Sequence, residues 1–331
     1  MKQAIFPSRE VSQLRASYDR DGFVIVEDSG ILEDIDLHAM WTDLARAFPG
    51  QTARVQDAWR KSEAVRQIAT HPVVLETLRS LYDRDPIPFQ TLNFITGTEQ
   101  ATHSDSIHFS CFPARYMCGV WAALEDITLT QGPLHYYEGS HRLPEFDYED
   151  LGISAVVGAP AYDNPSAHHS YLRYEREIAR IATEGGYARR QLAVKKGDFL
   201  VWSSNLLHGG DPHDDKLLTR KSQVSHYYFE NTVRYTPMFS SKERQHYMVR
   251  NIVDLRTNEI APNMLDGEIV FAASVDGVRS RIVKASEGYD RELAIAYLQL
   301  YPDVGKKHPD PESAYDHFVR YGAREGRRYF S

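Results

Sequence analysis

From Pro88 onward the chain becomes a succession of short apolar runs separated by glycine, proline and polar clusters, and that texture limits what it can fold into. Residues 89–95, 116–124, 133–137, 199–202 and 222–229 each read as a strand. Many short strands with turn punctuation mean a sandwich or a barrel. The expected fold is mainly β with flanking helices (α+β), a cupin-like double-sheet jelly roll. Upstream, residues 8–20 and 34–48 read as helices around a buried strand at 22–26, and 73–82 as a further helix. Residues 148–190 break the strand pattern with a long excursion holding Pro160, Pro165, His168, His169 and Gly185-Gly186. Such an insertion serves as a lid or a binding loop; its two histidines either join a substrate site or stand exposed and idle.

Within this pattern sits a split set of metal-ligand residues, His103-Ser104-Asp105 and, much later, His208. Two imidazoles and one carboxylate can occupy one face of an octahedral metal and leave three positions open, which suits a non-haem Fe(II) that holds a co-substrate and activates O2. A chain with 14 His contains roughly one His-x-Asp by composition alone, and a second is present at His213-Asp214-Asp215. Context separates the two. The second lies in a polar, proline-broken run and reads as a solvated loop. The first precedes the apolar run at 116–124, and in an extended segment residues two apart share a face, so His103 and Asp105 can aim at one metal. Glycines follow His208 and let backbone pass close to a metal or ligand. Arg220 opens the next strand signal, where a guanidinium can grip a co-substrate carboxylate through two parallel hydrogen bonds. Strand parity puts Met117, Gly119, Trp121 and Ala123 on one face, leaving room for a ligand beside the indole. The residues read as an Fe(II)- and 2-oxoglutarate-dependent oxygenase.

The formal charge of -8, with no Lys/Arg block, argues against nucleic acid as the main partner. No run approaches the length needed to cross a bilayer, and residues 1–7 lead into no apolar stretch of the signal-peptide kind. Cys111 and Cys118 are the only cysteines, too few for a disulfide framework or a four-cysteine zinc site. A reducing, cytoplasmic setting and a small-molecule substrate are expected. After about Ser286 the composition changes: residues 292–301 and 311–321 read as two amphipathic helices, with Gly322 at a C-cap position. The expected division is 1–285 for the oxygenase domain and 286–331 for a C-terminal helical hairpin. That hairpin offers a face for self-association or a pathway partner.

The ordered motifs resemble those of the phytanoyl-CoA dioxygenase family: residues 21–26, His103-x-Asp105, Trp121-Ala122-Ala123-Leu124-Glu125-Asp126, Gln131-Gly132-Pro133-Leu134, Gly139-Ser140-His141-Arg142, His208 and Arg220. The resemblance runs over roughly residues 10–235. It implies a double-stranded β-helix, Fe(II) on His103, Asp105 and His208, and 2-oxoglutarate anchored by Arg220. It also implies Trp121, Arg54 and Gln90 as further co-substrate contacts, and oxidation of a substrate C–H bond with release of succinate and CO2. Related halogenating enzymes lack the carboxylate ligand, so the presence of Asp105 favours hydroxylation. His108, Tyr136 and Arg142 flank the expected mouth and favour a small polar or anionic molecule. The C-terminal segment resembles a helical module appended to bacterial enzymes of surface-polysaccharide assembly, which hints at a sugar or glycan-linked substrate. Two other readings stay open on sequence: a cupin-like hydrolase using zinc on the same ligands, and a non-catalytic binding module on the same fold.

Overall fold

The computed structural model describes residues 8–51, 53–155, 165–274, 280–327 and 329; the expectations placed on residues 1–7 and on Pro160 lie outside them. Helix α1 (Ser8–Asp21) leads into β1 (Phe23–Val26), followed by α2 (Leu37–Ala47), the short β2 (Val55–Gln56), α3 (Glu63–Ala69), α4 (Pro72–Tyr82) and β3 (Pro86–Phe94). Local chemistry sets the helix starts. Asp36 accepts from the Ala39 N–H at 2.9 Å to cap α2, and Pro72 opens α4 where a missing N–H costs nothing. Then come β4 (Ser110–Phe112), β5 (Met117–Ala123), β6 (Leu134–Tyr137), α5 (Pro165–Glu184), β7 (Arg189–Gln191), β8 (Phe199–Ser203), β9 (His208–Gly210) and β10 (Ser222–Phe229). The excursion at 148–190 thus contains a helix of 20 residues that its texture did not announce. Its buried positions Ala167, Tyr174, Ile178 and Ala182 follow a helical stripe, while His168 and His169 are exposed.

The chain divides into two compact units. The first comprises residues 1–106, 117–145 and 172–229. Its larger sheet has six antiparallel strands in the order β1-β8-β5-β10-β3-β2, and a second sheet has three in the order β7-β6-β9. Side chains from both sheets meet in one interior cluster that includes Leu92, Trp121, Tyr136, Leu200, Trp202 and Val224. This is the expected jelly-roll arrangement, two antiparallel sheets with a shared core. The register puts Gly119 opposite Trp202 on one side and His226 on the other, Gln90 opposite His226 and Tyr136 opposite His208.

The second unit comprises residues 107–116, 146–171 and 230–331. In it β4 pairs with β11 (Val233–Tyr235), β12 (Ile252–Asp254) pairs with β13 (Glu259–Ala261), and β14 (Met264–Leu265), β15 (Glu268–Ser274) and β16 (Ser280–Lys284) form a three-stranded sheet. The chain then runs through α6 (Arg291–Leu300), α7 (Pro302–Gly305) and α8 (Pro311–His317). Phe271 of β15 and Val283 of β16 share one hydrophobic cluster with Ala294, Tyr297, Phe318 and Tyr329. The C-terminal helices therefore bury their apolar stripe partly on residues that precede position 286. Among the described residues no helix is long and apolar enough to cross a membrane.

Candidate metal centre

Strand β9 opens on His208, and His103 forms an isolated antiparallel bridge with it. The His103 N–H donates to the His208 carbonyl at 2.9 Å, and the His208 N–H donates back to the His103 carbonyl at 3.0 Å. Residues paired this way project their side chains to one face, and the two rings stand 4.5 Å apart, centroid to centroid. Asp105 opens a 3-10 turn that brings its carboxylate to the same place. His103 Nε2 lies 3.7 Å from Asp105 Oδ1 and His208 Nε2 lies 3.9 Å from Asp105 Oδ2. One donor atom from each of the three residues lies within 4.8 Å of the others, so the group could hold a metal ion.

The two histidines are pre-set for that task. His103 Nδ1 donates to the Ala101 carbonyl at 2.8 Å and His208 Nδ1 to the Leu206 carbonyl at 2.9 Å. A carbonyl only accepts, so each Nδ1 carries a hydrogen, and in the neutral ring it is Nε2 that keeps the lone pair for a metal. Burial pushes the His208 imidazole down to about 4, which keeps it neutral. Burial works to raise the Asp105 carboxyl, yet His208, His103 and His226 together hold it well below the usual carboxylate range. Burial also works to lower His103, but the Asp105 carboxylate outweighs it and raises that imidazole. The result is an anionic oxygen beside two imidazoles, a donor set that fits non-haem Fe(II).

Arg220 stands where β10 begins, its N–H donating to the Ile95 carbonyl at 2.7 Å. Its guanidinium is buried, 3% exposed, and Nη1 donates to the Gly132 carbonyl. A glycine makes room for it. A Cβ on Gly97 would overlap the guanidinium, while one on Gly210, two residues past His208, would strike the Thr98 carbonyl and reach ordinary contact with Nη1 at 3.5 Å. Nε is buried with no hydrogen-bond partner among the described residues. Burial pushes the group down to about 10, with the Asp211 carboxylate working against it, so it stays charged at neutral pH. A buried cation with an idle donor is costly unless an anion completes it. A carboxylate-bearing ligand would supply one.

The remaining expected residues are placed differently from one another. Trp121 is fully buried in the jelly-roll interior. Gln90 faces His226, Oε1 to Nδ1 at 3.0 Å. Arg54 is exposed just before β2. Tyr136 lies in the interior cluster against Phe23, ring centroids 4.4 Å apart. Arg142 is exposed and donates to the Arg20 carbonyl at 2.6 Å, tying its turn to the end of α1. His108 belongs to the second unit, with Nε2 3.2 Å from the Tyr171 hydroxyl.

Residues that sequence reasoning did not single out surround the His103–Asp105–His208 cluster. Trp202 Nε1 donates to Asp105 Oδ2 at 2.8 Å, and His226 Nε2 stands 3.7 Å from that oxygen. Gln100 Nε2 lies 3.2 Å from His103 Nε2, donating to the lone pair a metal would take. His135 joins the Thr102 hydroxyl (2.9 Å) to the Asp211 carboxylate (2.8 Å), one residue from His103 and behind Gly209. One sequence signal existed: Gly119, a small residue inside a bulky buried strand, marks where the Trp202 ring lies.

A jelly roll whose wall carries a His-Asp-His cluster that could hold a metal is the arrangement of a 2-oxoglutarate-dependent non-haem iron enzyme, which is the class the family match gives this chain. The chain belongs to the phytanoyl-CoA dioxygenase family, whose model matches residues 18–216, more than half of its length. Among solved structures it is similar to the epimerase SnoN in complex with Fe3+, α-ketoglutarate and nogalamycin RO, at 20% identity and a TM-score of 0.51, covering 70% of this chain and 88% of that one. It is likewise similar to the α-ketoglutarate-dependent carbocyclase SnoK from nogalamycin biosynthesis, at 13% identity and a TM-score of 0.53, covering 69% and 86%. At these identities the likeness is one of fold. No curated protein shows significant similarity to the chain.

Proposed function

We propose that the protein oxidises a C–H bond of a small polar molecule, sugar or glycan-linked, with Fe(II) held by His103, Asp105 and His208 and 2-oxoglutarate anchored by Arg220. Iron bound there supplies oxygen activation coupled to decarboxylation of 2-oxoglutarate to succinate and CO2. The chain's own part is to hold the ligands before metal arrives. Backbone pairing fixes both imidazoles, their Nδ1 hydrogens fix the tautomer, and Asp105 stays anionic. Arg220 then supplies the charge that selects and orients a carboxylate.

The observation that carries this reading is the buried, unpartnered Arg220 Nε beside β9. A zinc hydrolase on the same ligands has no use for a desolvated guanidinium there, whereas a dicarboxylate co-substrate does. SnoN and SnoK are an epimerase and a carbocyclase, so this fold accommodates outcomes besides hydroxylation. All proposed ligands precede position 230, and residues 286–331 are proposed as an appendage that contributes none. The test is Fe(II) reconstitution followed by measurement of succinate from 2-oxoglutarate. Formation of succinate that requires both iron and oxygen supports the reading. Metal-dependent hydrolysis without oxygen consumption would replace it with the zinc alternative.

A further inference from the structure

Asp105 has two carboxylate oxygens, and one of them is already engaged. Oδ2 accepts the Trp202 indole N–H at 2.8 Å, while Oδ1 is the oxygen 3.7 Å from His103 Nε2. The indole is held firmly. Trp202 is 3% exposed and pairs across the sheet with Gly119, where an added Cβ would overlap its six-membered ring. Its ring also lies against His208, centroids 5.1 Å apart. One side chain therefore touches two of the three proposed ligands. An indole N–H can only donate, so it always seeks an acceptor oxygen, and in this structure that oxygen is Oδ2. A carboxylate free to turn can bind a metal through both oxygens and take up a further coordination position.

We propose that Trp202 is a positioning residue that restricts Asp105 to a single-oxygen ligand through Oδ1 and so keeps three positions of the metal open. The proposal rests on the reading of His103, Asp105 and His208 as the metal ligands. His226, fixed by Gln90 at 3.0 Å, closes the space beside Oδ2 but stands too far away to replace the indole bond.

The experiment uses Mn(II) alone on the full chain, comparing wild type with Trp202→Phe, which keeps a ring in the pocket and removes the N–H. Mn(II) affinity is followed by electron paramagnetic resonance. Water-proton relaxation reports the exchangeable waters on the bound ion. The variant is expected to bind about 10–100-fold more weakly, as loss of a hydrogen bond to a metal ligand does, and to carry fewer exchangeable waters as Asp105 turns to bind through both oxygens. Unchanged affinity and unchanged relaxation would overturn the proposal. Should Trp202→Phe not fold, Gly119→Ala keeps the N–H but pushes the ring off Asp105, and the same two outcomes decide. A wild-type protein that binds no Mn(II) instead sinks the ligand assignment beneath the proposal, a failure distinct from an unchanged variant.

Discussion

His103 and His208 exchange both of their backbone hydrogen bonds, at 2.9 and 3.0 Å, so two proposed metal ligands from distant parts of the chain are registered by the sheet itself. The imidazoles do not depend on a metal to find each other. Their Nδ1 atoms are each tied to the carbonyl two residues earlier, which leaves only ring tilt to adjust. A site assembled this way costs little reorganisation when the ion binds.

Replacing any one ligand removes the metal and not the fold. His103→Ala, Asp105→Ala and His208→Ala should each lower Mn(II) or Fe(II) affinity by at least about 100-fold, beyond the effect of losing an outer hydrogen bond. Far-ultraviolet circular dichroism should stay unchanged, because the bridge is a backbone one. Metal binding at wild-type strength in all three variants would refute the assignment. Asp105→Gly opens a coordination position, and halide binding there is the companion measurement.

Arg220→Ala should raise the KM for 2-oxoglutarate with a loss on the order of 2–5 kcal/mol, the cost of leaving a buried charge unpaired in a complex. Arg220→Lys should recover little of it, since a point charge does not reproduce the planar fork. Steady-state kinetics at varied 2-oxoglutarate decide. An unchanged KM in the alanine variant would move the anchor to another cation, with Arg54 the first to try.

The proton balance gives a third expectation. His208 is pushed down to about 4 and Asp105 lies well below the carboxylate range, so both are already in their metal-binding forms at neutral pH. His103 is raised, and its proton is the one a metal must displace. Affinity should therefore climb as pH rises through the His103 titration and level off above it, with proton release on binding. The linkage in the metal-free protein runs the other way. The raised His103 contributes stability below its unfolded value of about 6.5 that is lost as pH rises through the folded one. Isothermal titration in two buffers of different ionisation enthalpy measures the protons released. Affinity independent of pH across the neutral range would contradict this account.

Much of this was legible in the order of residues, and what escaped has a physical reason. The runs that became β3, β5, β8 and β10 are buried along nearly their whole length, and β5 and β8, apolar almost throughout because both faces are covered, announce themselves most plainly. His103 and Asp105 were separable from His213-Asp214 by their flanks alone. Trp202 was not legible as a partner of Asp105, because a contact spanning 97 positions depends on the pairing of β5 with β8. Gln90 and His226 likewise meet only through register. Helix α5 escaped because its buried stripe of Ala167, Tyr174, Ile178 and Ala182 is thin and its other faces are charged. The strands beyond residue 230 are mostly two or three residues long, too short for a period to show.

His135 braces the ligand bridge from behind. Its Nε2 meets the Thr102 hydroxyl at 2.9 Å and its Nδ1 the Asp211 carboxylate at 2.8 Å, which Gln191 also holds at 2.7 Å. His135→Ala should cost about 1–3 kcal/mol in urea unfolding, because the buried Thr102 hydroxyl loses its partner while Asp211 keeps Gln191 and Arg189. It should weaken metal binding as well, since Thr102 adjoins His103. A stability loss with metal affinity untouched would make His135 a purely structural residue.

The C-terminal helices should be separable from the chemistry, but the place of the cut matters. Phe271 and Val283 sit in one cluster with Ala294, Tyr297, Phe318 and Tyr329. Ending the chain at residue 285 strips the cover from those two and leaves an apolar face, which favours association. Ending it at residue 263 removes the whole cluster together with β14, β15 and β16. The shorter product should therefore be the more soluble by size-exclusion chromatography, and both should keep Mn(II) affinity and 2-oxoglutarate-dependent succinate formation. All proposed ligands lie before position 230, and helices that spend their stripe on a core shared with β15 and β16 supply no donors to a metal. If either truncated chain folds yet no longer binds Mn(II), the C-terminal segment takes part in building the metal centre, and the appendage reading fails.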